Sequence, residues 1–418
     1  MPERLLDLCA GRRQGHSRAI TAVCSAHPLV LRAAMDETLA AGGPLLVEAS
    51  GNQVNQLGGY SGMTPEGFRT FVLGLAAEAG LEPARLILGG DRLGPGPWRL
   101  QPAAQALAKA GVLVQACVAA GFRKLHLDTA VACAGDGPVV SPETAARRAA
   151  SLCLLAEQTW QERPEGDPPV YVLGVDTSPE SGPQVTPAQD VHRSLDLFQD
   201  ALAREGVAEA WKRVVALVVQ PGIAFSETAV HPYDPKKARP LAKAIAGRRP
   251  WMYEVHGTDY QHPGVLRDLV HDGAGILKVG PWLTFACREA LFSLEDVARE
   301  LRAAEPPIEL REVLDRAMRK DPAHWKDHHH GPDRSYTRLF SYRDRSRYYW
   351  TDPEVEAEVG RLLAATAGPL PSQLLSRHLP MALDSVLDGD LEPNGRTIVL
   401  HAVRRVLGHY FAACREDS

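Results

Sequence analysis

A (β/α)8 barrel followed by a helical C-terminal extension is the fold that this sequence predicts. Three observations predict it. Eight short apolar runs alternate with eight helical patterns over roughly the first three hundred residues. Each run ends in polar or charged residues, as buried parallel strands do where they open onto a site. The alternation then stops at Pro306-Pro307, and only helical patterns continue. The expected division is 1–304 for the barrel and 305–418 for the extension.

The strands are expected at Ile20–Cys24, Pro44–Ala49, Leu86–Gly90, Lys124–Asp128, Val170–Val175, Val214–Val219, Trp251–Val255 and Gly275–Val279. The helices are expected at Pro28–Ala41, Pro65–Ala79, Gln101–Ala120, Pro142–Gln158, Ala188–Glu205, Pro235–Ala246, Pro263–Asp272 and Leu283–Ala303. Thr64-Pro65 and Ser141-Pro142 each set a hydroxyl cap ahead of a proline at the first helical position. Gly80, Gly121 and Gly273 stand where helices should stop. An open doubly wound sheet would carry a glycine-rich phosphate loop after its first strand. Ser25-Ala26-His27-Pro28 stands there instead, and the prolines of Gly94-Pro-Gly-Pro-Trp98 lack amides that could cradle phosphate.

Composition narrows the functional classes. The 418 residues are 45% hydrophobic and 23% charged, with a formal net charge of −5, which suits a protein with a large core. There is no basic tail or aromatic-interleaved basic stripe, so a nucleic-acid partner is not expected. No run approaches the roughly 18 apolar residues of a membrane span. Residues 1–15 carry early charges and no apolar signal core. The seven cysteines, none in a CxxC pair, read as reduced thiols of a cytoplasmic protein.

Barrels of this kind place their chemistry at the C-terminal ends of the strands. The residues there are Ser25 and His27, then Glu48 with Asn52, Gln53 and Asn55, then Asp91 and Arg92, then His126 and Asp128. Asp176, Gln220, His256 with Asp259, and Lys278 with Gly280 complete the ring. Asp91, His126, Asp176 and His256 supply oxygen and imidazole donors of the kind that bind Zn²⁺, Mn²⁺ or Mg²⁺. His256-Gly-Thr258 and Lys278-Val-Gly280 end the seventh and eighth strands, between which barrels frequently bind phosphate. Lys124 begins the fourth strand, at the end away from the mouth. Arg345 and Arg347, beside Tyr348-Tyr349-Trp350, either reach a phosphate or pack the extension onto the barrel, and packing is the expectation.

Longer motifs carry a resemblance. They are Val23-Cys-Ser-Ala-His-Pro-Leu-Val30, Glu48-Ala-Ser-Gly-Asn-Gln-Val-Asn-Gln-Leu-Gly-Gly-Tyr60, Gly89-Gly-Asp-Arg-Leu-Gly-Pro95 and Lys124-Leu-His-Leu-Asp128. Val219-Gln-Pro-Gly222, His256-Gly-Thr-Asp-Tyr-Gln261, Leu277-Lys-Val-Gly-Pro281 and Arg345-Ser-Arg-Tyr-Tyr-Trp350 add to them. Over almost its whole length the chain resembles the Z subunit of class II D-tagatose-1,6-bisphosphate aldolase, the GatZ/KbaZ type. The resemblance implies a barrel, and a ketohexose-phosphate ligand of tagatose- or galactitol-type carbohydrate metabolism. It implies either a lyase component or a non-catalytic subunit that stabilises a catalytic Y-type aldolase subunit. Some relatives resemble C4-epimerases that interconvert fructose 6-phosphate and tagatose 6-phosphate. Assembly into a homo-oligomer is also expected.

Under that resemblance Asp91, His126 and Asp128 are the expected catalytic residues, with Asp91 moving a proton at the C4 hydroxyl. Glu48, Asn52, Arg92, Gln220, Thr258, Asp259, Lys278 and Gly280 are expected to bind substrate or its phosphate. Glu48, Asn52 and Gln53 would bind sugar hydroxyls or else organise the loop after the second strand. His256 is the expected metal ligand, with Asp176 as a second. The family pattern puts a histidine beside Asp91 and a glutamate on the fifth strand, where this chain has Arg92 and Asp176. An arginine fork pairs well with a carboxylate and does not ligate a metal. Arg92 and Asp176 are therefore expected to pair across the mouth, leaving divalent-metal binding weak or absent.

Overall fold

The computed structural model describes residues 3–162, 164, 166–174, 183–328 and 334–415. Its barrel strands are β1 (Ile20–Cys24), β2 (Leu45–Ser50), β3 (Leu86–Leu93), β4 (Lys124–Leu127), β5 (Val170–Leu173), β6 (Val214–Val219), β9 (Tyr253–Val255) and β10 (Ala274–Val279). A small antiparallel hairpin, β7 (Ala224–Phe225) with β8 (Val230–His231), intervenes between β6 and β9. The eight long strands run parallel and close in the order β1-β2-β3-β4-β5-β6-β9-β10. This is the predicted (β/α)8 barrel.

Helices follow the strands where apolar periodicity placed them. Pro28–Ala41, Pro65–Ala79 and Pro235–Ala246 keep their expected bounds. Thr64 accepts from Gly67 N at 3.2 Å, and Ser141 accepts from Thr144 N at 3.2 Å, so both hydroxyl caps form. The eighth helix, Pro281–Leu301, begins two residues earlier than expected, because its first proline fits the opening turn.

The hairpin β7–β8 was not foreseen, and neither was a helix at the start of the chain. Residues Glu3–Arg13 form a helix whose Leu5 and Cys9, four apart on one face, are buried against Ile20, Leu46, Ile87, Met252 and Ile276. That helix plugs the end of the barrel opposite the mouth. Arg12 fixes it by donating to the carbonyls of Val270 and Ala274, both at 2.7 Å.

Among the described residues of 305–418 every regular element is a helix. Their longest helix, Gly395–Cys414, packs on Pro28–Ala41, Pro263–His271 and Pro281–Leu301 and reaches β1. Ala19 N donates to Cys414 O at 3.1 Å, and the buried Tyr410 hydroxyl donates to Thr258 O at 2.8 Å. Leu362, Leu375 and Leu407 share one continuous apolar core with Leu283 and Val297 of the eighth barrel helix. No helix among the described residues is long and apolar enough to cross a membrane.

Side chains alternate along each strand, so every second residue points inward. The inward positions form layers. Leu46, Ile87, Met252 and Ile276 make an apolar floor. Two residues further along, Glu48, Lys124, Glu254 and Lys278 make a charged layer. Ser50, Asp91, His126, His256 and Gly280 lie above it, towards the mouth.

Candidate functional site

The charged layer is a closed network. Lys124 Nζ contacts Glu48 Oε1, and Glu254 Oε2 at 2.6 Å. Lys278 Nζ contacts Glu48 Oε2 at 2.7 Å, Glu254 Oε1 at 3.4 Å and Asp91 Oδ1. Burying five such ions is costly, and mutual pairing offsets that cost. Burial alone would raise the Asp91 and Glu254 carboxyls. For Asp91, Lys278 with His126 wins and holds the group well below the usual range; for Glu254, Lys124 and Lys278 do so. Lys278 is pushed the other way: burial would lower it, but Asp91, Cys24 and Glu48 raise it well above the usual lysine range.

Local sequence explains the layer. Gly89 faces Glu48, and a Cβ on Gly89 would lie 2.9 Å from the Glu48 carboxylate. This glycine makes room for an ion rather than for a ligand. β3 continues past its expected end, and its register with β4 breaks between Gly90 and Leu93. In that bulge Arg92 takes φ 48° and donates its amide to His126 Nδ1 at 3.2 Å. Asp91 Oδ1 lies 3.2 Å from the same nitrogen. Lys124, read as lying at the far end, is wholly buried at the barrel centre. β4 has only four residues, so its first residue stands a single inward step below His126.

Above the layer lies a cavity of about 300 Å³. Asp91, Lys278 and His256 form one part of its wall, with Asn52, Gln53, Arg92, Gln220, Asp259 and Gly280 beside them. The structure thus brings together most residues of the expected ring. Glu48 is not among them: it is fully buried and holds the two lysines underneath. His126 and Asp128 are also buried outside the lining. The Thr258 hydroxyl donates to Lys278 O at 2.5 Å and meets the Tyr410 hydroxyl at 3.1 Å, so it serves the terminal helix. The Gly280 amide, expected for phosphate, donates to Asp259 at 3.1 Å, as Trp282 N does at 2.8 Å. Burial pushes the Asp259 carboxyl up to about 6 despite these two amides. Gln53 accepts from Ser50 N at 2.8 Å, which organises its loop while the residue also reaches the cavity. Asp176, and with it the expected pair to Arg92, lies outside the described residues.

The extension supplies the rest of the wall. Arg343, Arg345, Arg347 and Tyr348 line the same cavity, so Arg345 and Arg347 do more than pack. Asp344 anchors their loop. It takes φ 43°, and its carboxylate accepts from Arg288 Nε at 2.8 Å, Ser346 Oγ at 2.8 Å and Thr284 Oγ1 at 2.5 Å. Arg345 is 8% exposed and donates to His324 O at 3.2 Å, and its Nε is buried with no partner. Burial lowers Arg345 to about 10, since no carboxylate compensates its charge closely. Arg347 donates to Asp344 O at 3.1 Å and to the Tyr348 hydroxyl at 2.9 Å. Arg343 has Glu227 at 3.7 Å. Positive charge therefore exceeds negative charge on this wall.

Metal chemistry is a question for the donor set itself. Asp91, His126, Glu254 and His256 each offer a ligand atom, and these atoms lie within 4.8 Å of one another. Sequence reading found three of the four and missed Glu254, which stands two residues before His256 on the same inward face. As packed, the quartet fits a dication poorly. Lys278 already contacts the carboxylates of Asp91 and Glu254, and Glu254 Oε1 pairs with His256 Nε2 at 2.7 Å. An ammonium and a dication sharing those oxygens would repel by on the order of 10 kcal/mol at an effective dielectric of about 20. Cys24 lines the cavity, but burial pushes its thiol well up, away from a reactive thiolate.

Fold and cavity together define a (β/α)8 barrel protein with an arginine-lined mouth. The chain belongs to the D-tagatose-1,6-bisphosphate aldolase subunit GatZ/KbaZ-like family, whose pattern matches residues 5–415. It is similar to a probable tagatose 6 phosphate kinase from Sinorhizobium meliloti 1021, with 41% identity and a TM-score of 0.88, over 95% of this chain and 100% of that one. More distant similarities are to the YdjI aldolase of Escherichia coli K12 and the fructose-bisphosphate aldolase of Campylobacter jejuni. The first has 10% identity and a TM-score of 0.42 over 85% and 94% of the two chains. The second has 13% identity and a TM-score of 0.45 over 88% and 93%.

Proposed function

We propose that this chain binds a ketohexose phosphate across the barrel mouth and acts in tagatose-type carbohydrate metabolism as an aldolase component. The observation that carries this reading is the two-sided cavity. Arg343, Arg345 and Arg347 stand on one wall, and Asp91, Lys278 and His256 on another. Guanidinium forks suit a phosphate monoester. Asn52 and Gln220 line the same cavity and carry amides suited to sugar hydroxyls. The tagatose phosphates named for both the family and the Sinorhizobium protein point to the same ligand class. For the kinase in the latter's name, the run Gly89 to Gly94 offers no open phosphate cradle, since Glu48, Leu93 and the Asp128 carbonyl fill the space beside Gly89, Gly90 and Gly94.

Asp91 is held ionised, the state needed to accept the C4 hydroxyl proton as the C3–C4 bond breaks. The electron pair of that bond passes to the ketone, and the Lys278 ammonium is the cation at hand for the developing oxyanion. The roof of extension residues favours a second reading, C4 epimerisation. An enclosed aldehyde fragment that turns and recombines would share this first half-reaction.

Incubation of the purified chain with tagatose 1,6-bisphosphate and with fructose 6-phosphate tests both. Triose phosphate marks a lyase, and tagatose 6-phosphate marks an epimerase. Tight binding without turnover marks a stabilising subunit for a Y-type partner. Failure to bind either sugar phosphate would sink the proposal. Asp91→Ala should abolish any turnover while leaving the fold intact.

A further inference from the structure

The quartet Asp91, His126, Glu254 and His256 has the donors of a divalent-metal site, and Lys278 projects its ammonium among them. Three carboxylates, from β2, β3 and β9, converge on that one amine. Lys124 lies beneath and forms ion pairs with Glu48 and Glu254. The formal balance of the carboxylates and ammonium groups of the layer is three negative charges against two positive. A dication added to the same layer would have to share the Asp91 and Glu254 oxygens with an ammonium already in contact with both, and the two cations would repel. Lys278 is also the member of the lysine pair that lines the cavity. Its position is therefore the one from which a cation serves a ligand, and its covalent tether keeps it there at any metal concentration.

We propose that the Lys278 ammonium is the resident cation of this barrel mouth, filling the place that a divalent metal would take among Asp91, His126, Glu254 and His256. The wild-type chain then takes no stoichiometric metal at this quartet. Removing the amine uncovers a metal site that the remaining residues already build. Weak metal binding was expected from a pair between Arg92 and Asp176, which lies outside the described residues; the cause proposed here is Lys278.

The test compares metal retention in the full chain with no sugar phosphate present, so its result is independent of the ligand proposed above. Chelator-stripped protein is incubated with Mn²⁺, freed of unbound ion, and read by electron paramagnetic resonance and elemental analysis. Wild type should retain far less than one equivalent. The double variant Glu48→Gln/Lys278→Met removes one charge of each sign and leaves the quartet intact. It should retain about one Mn²⁺ per chain, in a six-coordinate oxygen and nitrogen environment. Adding His256→Ala to the double variant should lose that ion again. A wild-type chain holding one Mn²⁺ that His256→Ala releases would overturn the proposal. So would a folded double variant that holds none. If the double variant does not fold, the wild-type measurement decides alone.

Discussion

Arg288 Nε donates to Asp344 Oδ1 at 2.8 Å, and both side chains are fully buried. This contact ties the helix after the last barrel strand to the loop that carries Arg343, Arg345 and Arg347. Arg288 also lies 4.6 Å from the Phe285 ring centre, so the pair sits in apolar surroundings. Asp344→Ala would take the buried partner from that guanidinium and leave it only the half-exposed Glu289, at 2.6 Å, of its two ion-pair partners among the described residues. Loss of stability by about 3–5 kcal/mol is expected in chemical denaturation. Fructose 6-phosphate affinity should fall with it, because the arginine loop loses its anchor.

Arg345→Ala probes the phosphate wall without touching Asp91. Charge-assisted hydrogen bonds are worth about 1.5–3 kcal/mol, so affinity for fructose 6-phosphate should drop roughly 10- to 100-fold in calorimetric titration. Binding of unphosphorylated fructose should not change. An equal loss for both sugars would place Arg345 in a structural role only. Stability should rise slightly or hold, since an uncompensated buried charge is removed.

Asp259 gives a pH signature. Its folded value is raised to about 6, chiefly by burial, above the ordinary carboxyl value of 3.8. Between those values the folded state holds the proton more tightly than the unfolded chain does. The contribution of Asp259 to folding is therefore greatest below about pH 3.8 and declines as pH rises through about 6. The decline amounts to about 3 kcal/mol at most. The stability difference between wild type and Asp259→Asn, measured by denaturation from pH 4 to 7, should follow that curve. A difference flat across the range would refute it.

Two glycines of one loop should behave in opposite ways. A Cβ on Gly94 would meet Asp128 O at 1.7 Å, whereas nothing lies within 4 Å of one on Gly96. Gly94→Ala should destabilise the chain by about 3 kcal/mol or more, through a forced backbone shift next to Asp91. Gly96→Ala should be close to neutral. Thermal melts of the two variants separate the effects.

The barrel was legible because continuous apolar strand runs and helical patterns, several of them started by a proline, alternate with few interruptions. The upper ring was legible for Asp91, His256, Gln220 and Asn52, since polar residues just past apolar runs mark a barrel mouth. Glu254 and the role of Lys124 were not: Glu254 interrupts the short run Tyr253–Val255, and Lys124, as the first residue of its strand, reads as lying at the end away from the mouth. Counting back two residues from His256 and from His126 would have found both. The destinations of Glu48, Thr258 and the Gly280 amide depend on partners far away in sequence, Lys124, Tyr410 and Asp259, that no local pattern names. The arginine loop was visible as a motif. Its place over the mouth is set by Asp344 and Arg288, whose separation of 56 residues hides the contact.

The helix Gly395–Cys414 covers β1 and the first barrel helix, although nearly four hundred residues separate them along the chain. A nascent chain leaving the ribosome exposes that flank until residues 395–414 have emerged. Ala19 waits as long for its hydrogen-bond acceptor at Cys414, and Thr258 for the Tyr410 hydroxyl. Such long-range closure makes for slow folding and a vulnerable intermediate. The apolar surface under that helix is therefore where a chaperone would hold the growing polypeptide.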